Sequence, residues 1–333
     1  MATDKESSLL QKPADIFSRE EIKALSARSN LRGAGLILHC WATIGLTWFI
    51  CIEWTHPAII LVGIAIVGTR QLGLAIIGHD AAHHVLFENR QLNDWAAEWL
   101  LNRALVGASI TPYRNYHFVH HRHTQQAGDP DLPLSAPFPT SRASLRRKII
   151  RDLTGQTGFK QYGATIKSAF YPDDEFSLHA GVRRLAPNFL INLAFLAVFM
   201  LAGKWYLYFL LWIVPALTWH SLVSRIRNIA EHAVVPDNDD RLRNTRTTIA
   251  SWPERMLLAP YFVNYHLEHH LLVSAPCYRL PAVHELLKSK GLMSHMEVRQ
   301  GYAEVLRIAA PVNFSGPPPK YQEKPNNSLP GQS

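Results

Sequence analysis

His117-Phe118-Val119-His120-His121-Arg122-His123 places four imidazoles within seven residues, in a chain of 333 residues that holds 17 histidines in all. The same H-x-x-H-H spacing returns at His266-Leu267-Glu268-His269-His270. A looser cluster stands ahead of both at His79-Asp80-Ala81-Ala82-His83-His84. Helical spacing decides what these runs can do. Residues three and four apart share a helix face, so His79 pairs with His83, His117 with His120 and His121, and His266 with His269 and His270. Each run therefore aims two or three rings at one point. Neutral imidazole is the commonest biological metal ligand and suits iron, zinc and copper. Eight such side chains are too many for one tetrahedral zinc, which takes four ligands; they suit two metal ions that keep positions open.

The clusters are set among long apolar runs. Residues 34–52 carry no charge and are long enough to cross a bilayer, which takes about 20 residues. After the turn Glu53-Trp54-Thr55-His56-Pro57, residues 58–78 form a second run, apolar except for Arg70 and Gln71. An arginine inside a span must face the protein interior or snorkel toward the His79 end. The patch 95–110 contains Glu98, Asn102 and Arg103 and reads as an interfacial or re-entrant helix. A second pair of spans is expected at 187–202, with Pro187 marking its start, and at 205–223, where Pro215 predicts a kink. The last of these runs on into Arg227-Asn228-Ile229-Ala230-Glu231-His232, where Asn228 and His232 share a face. His232 is a ninth candidate ligand, and Asn228 a candidate partner acting through water.

The links at 53–57 and 203–204 are short, and the histidine-bearing loops hold nearly all the Lys and Arg, including Arg142, Arg146, Arg147, Lys148 and Arg151. The positive-inside rule makes those loops cytoplasmic. Two hairpins also return the chain to one side, so all three clusters face one compartment. The expected fold is an all-α integral membrane protein with four transmembrane helices in two hairpins, interfacial helices and a cytoplasmic helical cap carrying the histidines. Around this domain, 33–310, lie a cytoplasmic N-terminal segment, 1–32, and a Pro- and Asn-rich tail, 311–333, expected to be disordered. Ser18 with Glu21 forms a capping-box signature for a surface helix over 18–30.

A net charge of +8 and a pI near 9.4 invite a nucleic-acid reading, but the charge is not organised with aromatics on a soluble domain. Anionic lipid is the better counterpart for a basic loop beside membrane spans. Cys40, Cys51 and Cys277 are too scattered for a disulfide framework or a zinc knuckle. The first 31 residues lack the apolar core of a signal peptide.

Taken together, HDAAHH, HFVHHRH and HLEHH between two membrane hairpins resemble the membrane fatty acid desaturase family, which is related to acyl hydroxylases and carotenoid ketolases. The resemblance covers residues 34–290. The family's pattern of H-x(3,4)-H, H-x(2,3)-H-H and [HQ]-x(2,3)-H-H falls on His79 and His83, on His117, His120 and His121, and on His266, His269 and His270. Asn228 and His232 match the family's further ligand and the asparagine one turn before it. His84 and His123 fall beside the pattern, as alternate ligands or supports. The resemblance implies a non-haem centre of two Fe2+ ions with O2 as co-substrate, acting on a fatty acyl lipid. Zinc has no redox chemistry and could not serve in breaking an unactivated C–H bond. Removing hydrogen from two neighbouring methylenes gives an alkene, whereas returning oxygen to the carbon gives an alcohol. A desaturase is therefore the leading expectation, with an acyl-lipid hydroxylase or carotenoid ketolase or hydroxylase as alternative and a zinc-binding membrane protein without oxidative chemistry third. Asp80, Glu231 and Glu268 are candidates for holding imidazole N–H groups in the ligating tautomer. No His-Pro-Gly-Gly haem motif, Gly-rich dinucleotide fingerprint or cysteine cluster is present, so electrons are expected from a separate ferredoxin or cytochrome b5-like carrier with its reductase. With no targeting peptide and short termini, the bacterial inner membrane is favoured over the endoplasmic reticulum.

Overall fold

The structure, a computed structural model, describes residues 12–105, 109–314 and 316. Most of the expected tail, from 317 on, and residues 1–11 lie outside them. Ser18 accepts the Glu21 N–H while the Glu21 carboxylate accepts the Ser18 N–H, so the capping box is present and starts α1, Arg19–Leu25. That helix ends five residues short of the expected 30.

Four helices are long and apolar enough to cross a membrane, and with them the chain is an integral membrane protein. The first two, α2 (Asn30–Glu53) and α3 (Pro57–Ala82), form a hairpin. Ser29 caps α2 through the Arg32 N–H. His56 Nδ1 accepts the Ala58 N–H and Pro57 opens α3, a position where the missing proline N–H costs nothing. Arg70 faces the interior rather than snorkelling: it is buried, donates to the Met256 carbonyl at 3.1 Å and lies over the Tyr261 ring.

Between the hairpins the chain stays on one side. The patch expected to lie in the interface is α4 (Arg90–Ala96), continued by a π-helical turn at Ala97–Asn102; Trp95 and Trp99 are exposed on it. Next come α5 (Ile110–Arg122), α6 (Arg142–Leu153) and α7 (Gln156–Phe170). Gly158 on α7 fits closely against the fourth span: a Cβ there would collide with the Leu217 carbonyl oxygen.

Both spans of the second hairpin are longer than their apolar cores. The third, α8, runs Leu178–Leu201, so Pro187 lies inside the helix instead of marking its start. Ser177 supplies the N-cap, accepting the Ala180 N–H. Near the interior proline the Arg184 carbonyl accepts a bond from the Arg103 side chain. The fourth span, α9 (Tyr206–His232), extends nine residues past the expected 223 because its polar end is buried under the cap. It is broken as Pro215 predicts, with a π-helical turn at Phe209–Ile213 and non-helical angles at Thr218. Proline cannot donate to the carbonyl four residues back, and that carbonyl, Leu211 O, accepts the Trp48 indole N–H at 3.3 Å. The next, Trp212 O, accepts from Gln71 at 2.9 Å. Trp41, Trp48, Phe195, Phe199 and Trp212 pack their rings edge-on and tilted where α2, α8 and α9 meet.

The cap after α9 adds α10 (His266–Leu271), α11 (Leu280–Ser289) and α12 (Tyr302–Ala309). It also holds a parallel pair of three-residue strands, β1 (Thr247–Ile249) and β2 (Val298–Gln300), which the helical pattern did not announce.

Trp48→Phe keeps an aromatic ring in this core but removes the donor to Leu211 O. Leaving a buried carbonyl unsatisfied costs on the order of 1–3 kcal/mol, so the apparent melting temperature of the detergent-solubilised protein should fall by several degrees; an unchanged melting curve would show that the break does not need the indole.

Candidate metal centre

The ends of α3 and α9 meet α5 and α10 at one place, and nine imidazoles converge there in two groups. One group is His79, His83, His117, His121 and His269; the other is His120, His232, His266 and His270. Within each, the nearest ring nitrogens or equivalent donor atoms all lie within 4.8 Å of one another. In the first group Nε2 atoms approach to 2.9 Å (His83 and His117), 2.8 Å (His117 and His121) and 3.0 Å (His121 and His269). In the second, His266 stands 2.9 Å from His232 and 3.0 Å from His270. Helical spacing explains the division. His117 and His121, one turn apart on α5, face one point, while His120 is turned about 100° from His121 and faces the other. His269 is likewise separated from His266 and His270 on α10.

Six of the rings are held toward the neutral form. Burial, reinforced by neighbouring imidazoles, holds His117, His121, His266, His269 and His270 well below the ordinary histidine pKa, and pushes His83 down to about 3. A neutral imidazole keeps a lone pair for a metal. His79 Nε2 and His232 Nδ1 are buried without a hydrogen-bond partner among the described residues. Nine imidazole donors in sets of five and four, two of them carrying an orphaned nitrogen, fit a pair of borderline transition-metal ions.

Several rings are oriented from behind. His120 Nδ1 is 2.8 Å from the Asp129 carboxylate, which is fully buried and also accepts the Gln125 and Asp131 N–H groups. Thr124 Oγ1 is 3.2 Å from His270 Nδ1. Glu231 lies 3.5 Å from His266 Nδ1 while accepting from Arg227 at 2.6 Å. Tyr113 stacks on His117 at 5.6 Å.

Two expected supports are used elsewhere. Asp80 points away from the rings and accepts the Cys277 N–H at 2.8 Å. Glu268 bonds His284 and Thr247, neither of them in the groups. His84 follows the end of α3 with φ +57 and its Nδ1 stands 3.5 Å from Asp94, outside both groups. His123, which closes α5 through the Val119 carbonyl, is outside them too. Asn228 lines a cavity of about 190 Å³ with Tyr113, His117, His120, Arg227 and His232. Sequence reasoning missed Asp129: Gly128-Asp129-Pro130-Asp131 reads as a turn. The available signal was an aspartate in a turn folding back on a histidine-rich helix, where a carboxylate and an imidazole are brought within reach.

The sequence profile of the fatty acid desaturase family matches residues 54–302. The dihydrorhizobitoxine desaturase of Bradyrhizobium elkanii is 28% identical over 79% of this chain and 78% of its own length. The beta-carotene ketolase of Paracoccus sp. (strain PC1) is 24% identical over 76% of this chain and 90% of its own. The sn-1 oleoyl-lipid 12-desaturase of Synechocystis is 24% identical over 83% and 79%.

Asp129→Asn turns one of three accepting contacts into a donor and loosens the hold on His120. Loss of such a support commonly weakens metal binding by roughly 10- to 100-fold. Metal titration of chelator-stripped, detergent-solubilised protein should show that drop with an unchanged gel-filtration profile; wild-type affinity would remove Asp129 from the site.

Proposed function

The chain belongs to the fatty acid desaturase family and is a membrane oxidoreductase, and from that membership we propose that it introduces a carbon–carbon double bond into the acyl chain of a lipid at a centre of two non-haem iron ions. His79, His83, His117, His121 and His269 would hold one ion, and His120, His232, His266 and His270 the other. The observation that carries this is the gathering of nine buried histidines into two convergent groups. Iron with O2 supplies the oxidising power that removal of hydrogen from an unactivated methylene requires.

The protein's own part is to place and orient. Buried neutral rings present lone pairs rather than competing protons. Asp129 and Thr124 fix which nitrogen of His120 and His270 faces inward. Asn228 offers its amide to the cavity beside His120 and His232, where it can hold a water or a substrate atom. Tyr113, stacked on His117, walls the same cavity. The histidine-bearing loops carry most of the basic residues, which supports an active site on the cytoplasmic face of the membrane. Electrons come from a separate ferredoxin or cytochrome b5-like carrier with its reductase. An opening of about 280 Å³, lined by Arg122, Gln126 and Asn238 and reaching His121 and His270, offers such a carrier one approach to the rings. Similarity to a carotene ketolase supports one second reading, oxygenation on the same scaffold.

Lipids from cells expressing the wild type should contain a species lighter by two hydrogens that is missing with His269→Ala, while both proteins insert equally. A gain of one oxygen would move the assignment to an oxygenase. Full activity of His269→Ala or His120→Ala, or purified protein carrying zinc and no iron, would overturn the centre. His56→Ala, at the opposite end of the spans, and His123→Ala, outside both groups, should leave the lipid profile close to wild type.

A further inference from the structure

A groove of about 250 Å³ lies well apart from the histidines, between α6 and α12. Its floor is Leu145, Ile149, Leu306 and Ala310, and its rim is Arg142, Arg146 and Arg307. All three arginines are exposed, and none has an ion-pair or hydrogen-bond partner among the described residues. The nearby carboxylates are already engaged: Asp152 takes Arg225 in two bonds, and Glu304 takes Arg299. The walls are set before any ligand arrives. Leu145 belongs to one buried apolar cluster with Leu222 and Ile226 of α9 and Tyr302 and Val305 of α12, and the Thr140 N–H donates to the Ala309 carbonyl at 2.9 Å. Three unspent guanidinium groups held around an apolar floor match an anion that carries an apolar body.

The helix also states where that body would lie. Arg142, Arg146, Ile149, Ile150 and Leu153 fall at i, i+4, i+7, i+8 and i+11, a single stripe of α6. The stripe passes from charged to apolar, and Ile150 and Leu153 are exposed on it. Beyond the turn, Phe159 and Ile166 on α7 are exposed as well, in a hairpin pressed against the break of the fourth span through Gly158. Large exposed apolar side chains beside a membrane span are the part of a hairpin that rests in the lipid boundary. We propose that this groove binds the head group of an acidic phospholipid, with Arg142, Arg146 and Arg307 on its phosphate and its acyl chains running along Ile149, Ile150 and Leu153.

The test is lipid retention by the full chain in detergent, read by native mass spectrometry during titration with phosphatidylglycerol or phosphatidylcholine. The wild type should retain phosphatidylglycerol preferentially. Arg142→Gln/Arg146→Gln/Arg307→Gln should weaken that retention roughly tenfold or more, from the surface contribution of each basic residue. Arg147→Gln/Arg151→Gln, which removes charge from the other side of the same helix, should stay close to wild type. Should the triple variant fail to fold, Arg146→Gln and Arg307→Gln singly should each weaken retention several-fold. Equal retention of the two lipids, or equal loss in the control pair, would overturn the site in favour of a diffuse basic field. Displacement of phosphatidylglycerol by equimolar inorganic phosphate would overturn it in favour of a soluble phosphate ligand.

Discussion

The relative depth of the second and fourth spans governs everything built at their ends. His79 and His83 occupy the last turn of α3 and the residue after it, and His232 is the last residue of α9. A slip of one residue between these helices displaces an imidazole by about 1.5 Å and turns it by about 100°, enough to take it out of either group. Polar contacts inside the membrane set the depth. Gln71 reaches Trp212 O, and Trp219 Nε1 donates to Thr69 Oγ1 at 3.0 Å. At Gly68 the absence of a side chain lets Trp219 come so close that a Cβ would stand 2.8 Å from its own. The first of these bonds uses a carbonyl that the break around Pro215 leaves free in the middle of the span. The broken helix is thus what registers the fourth span against its neighbours.

A second constraint acts at the ends themselves. A helix terminus leaves its last carbonyls without partners, and here both histidine-bearing ends are buried. Each is closed by an arginine from the cap. Arg114 donates to Ala81 O and Ala82 O and pairs with Asp94. Arg246, 1% exposed, donates to Ala230 O and Val234 O and pairs with Glu297. A cation at a helix C-terminus also meets the negative end of the macrodipole. The cap is therefore fastened to the spans at the same two places where it delivers its histidines. A buried nitrogen without a partner, such as His79 Nε2, opposes folding; a metal held by the proposed centre would offset that opposition and couple occupancy to stability.

What the sequence made legible follows from what is local. Three histidine runs, two apolar hairpins and the capping box at Ser18 are periodic or contiguous features, and each is in the structure. The division of the second run between two groups was latent in the same spacing, since His120 and His121 cannot face one point on a helix. The start of α8 lies earlier than Pro187 suggests, since Ser177 caps the helix and it runs on through the proline. Asp80 looked like a partner for its neighbours His79 and His83, yet on a helix an adjacent residue points elsewhere, and it meets Cys277. Asp129, Arg114 and Arg246 act only through the tertiary fold, so no pattern along the chain announced them.

The helices that deliver the imidazoles also present other residues to the cavity beside them. On α5, Tyr113 and Tyr116 line the cavity one turn before His117 and His120; on α9, Arg227 and Asn228 do so one turn before Glu231 and His232. Changing Asn228 would alter the polarity of the cavity without removing a ring contact, whereas Tyr113 stacks on His117 and Arg227 holds Glu231 beside His266. One scaffold can in this way keep its histidines while its substrate changes. Selectivity in this protein should accordingly be sought at Tyr113, Tyr116, Arg227 and Asn228, and reactivity at the nine rings and at Asp129 behind them.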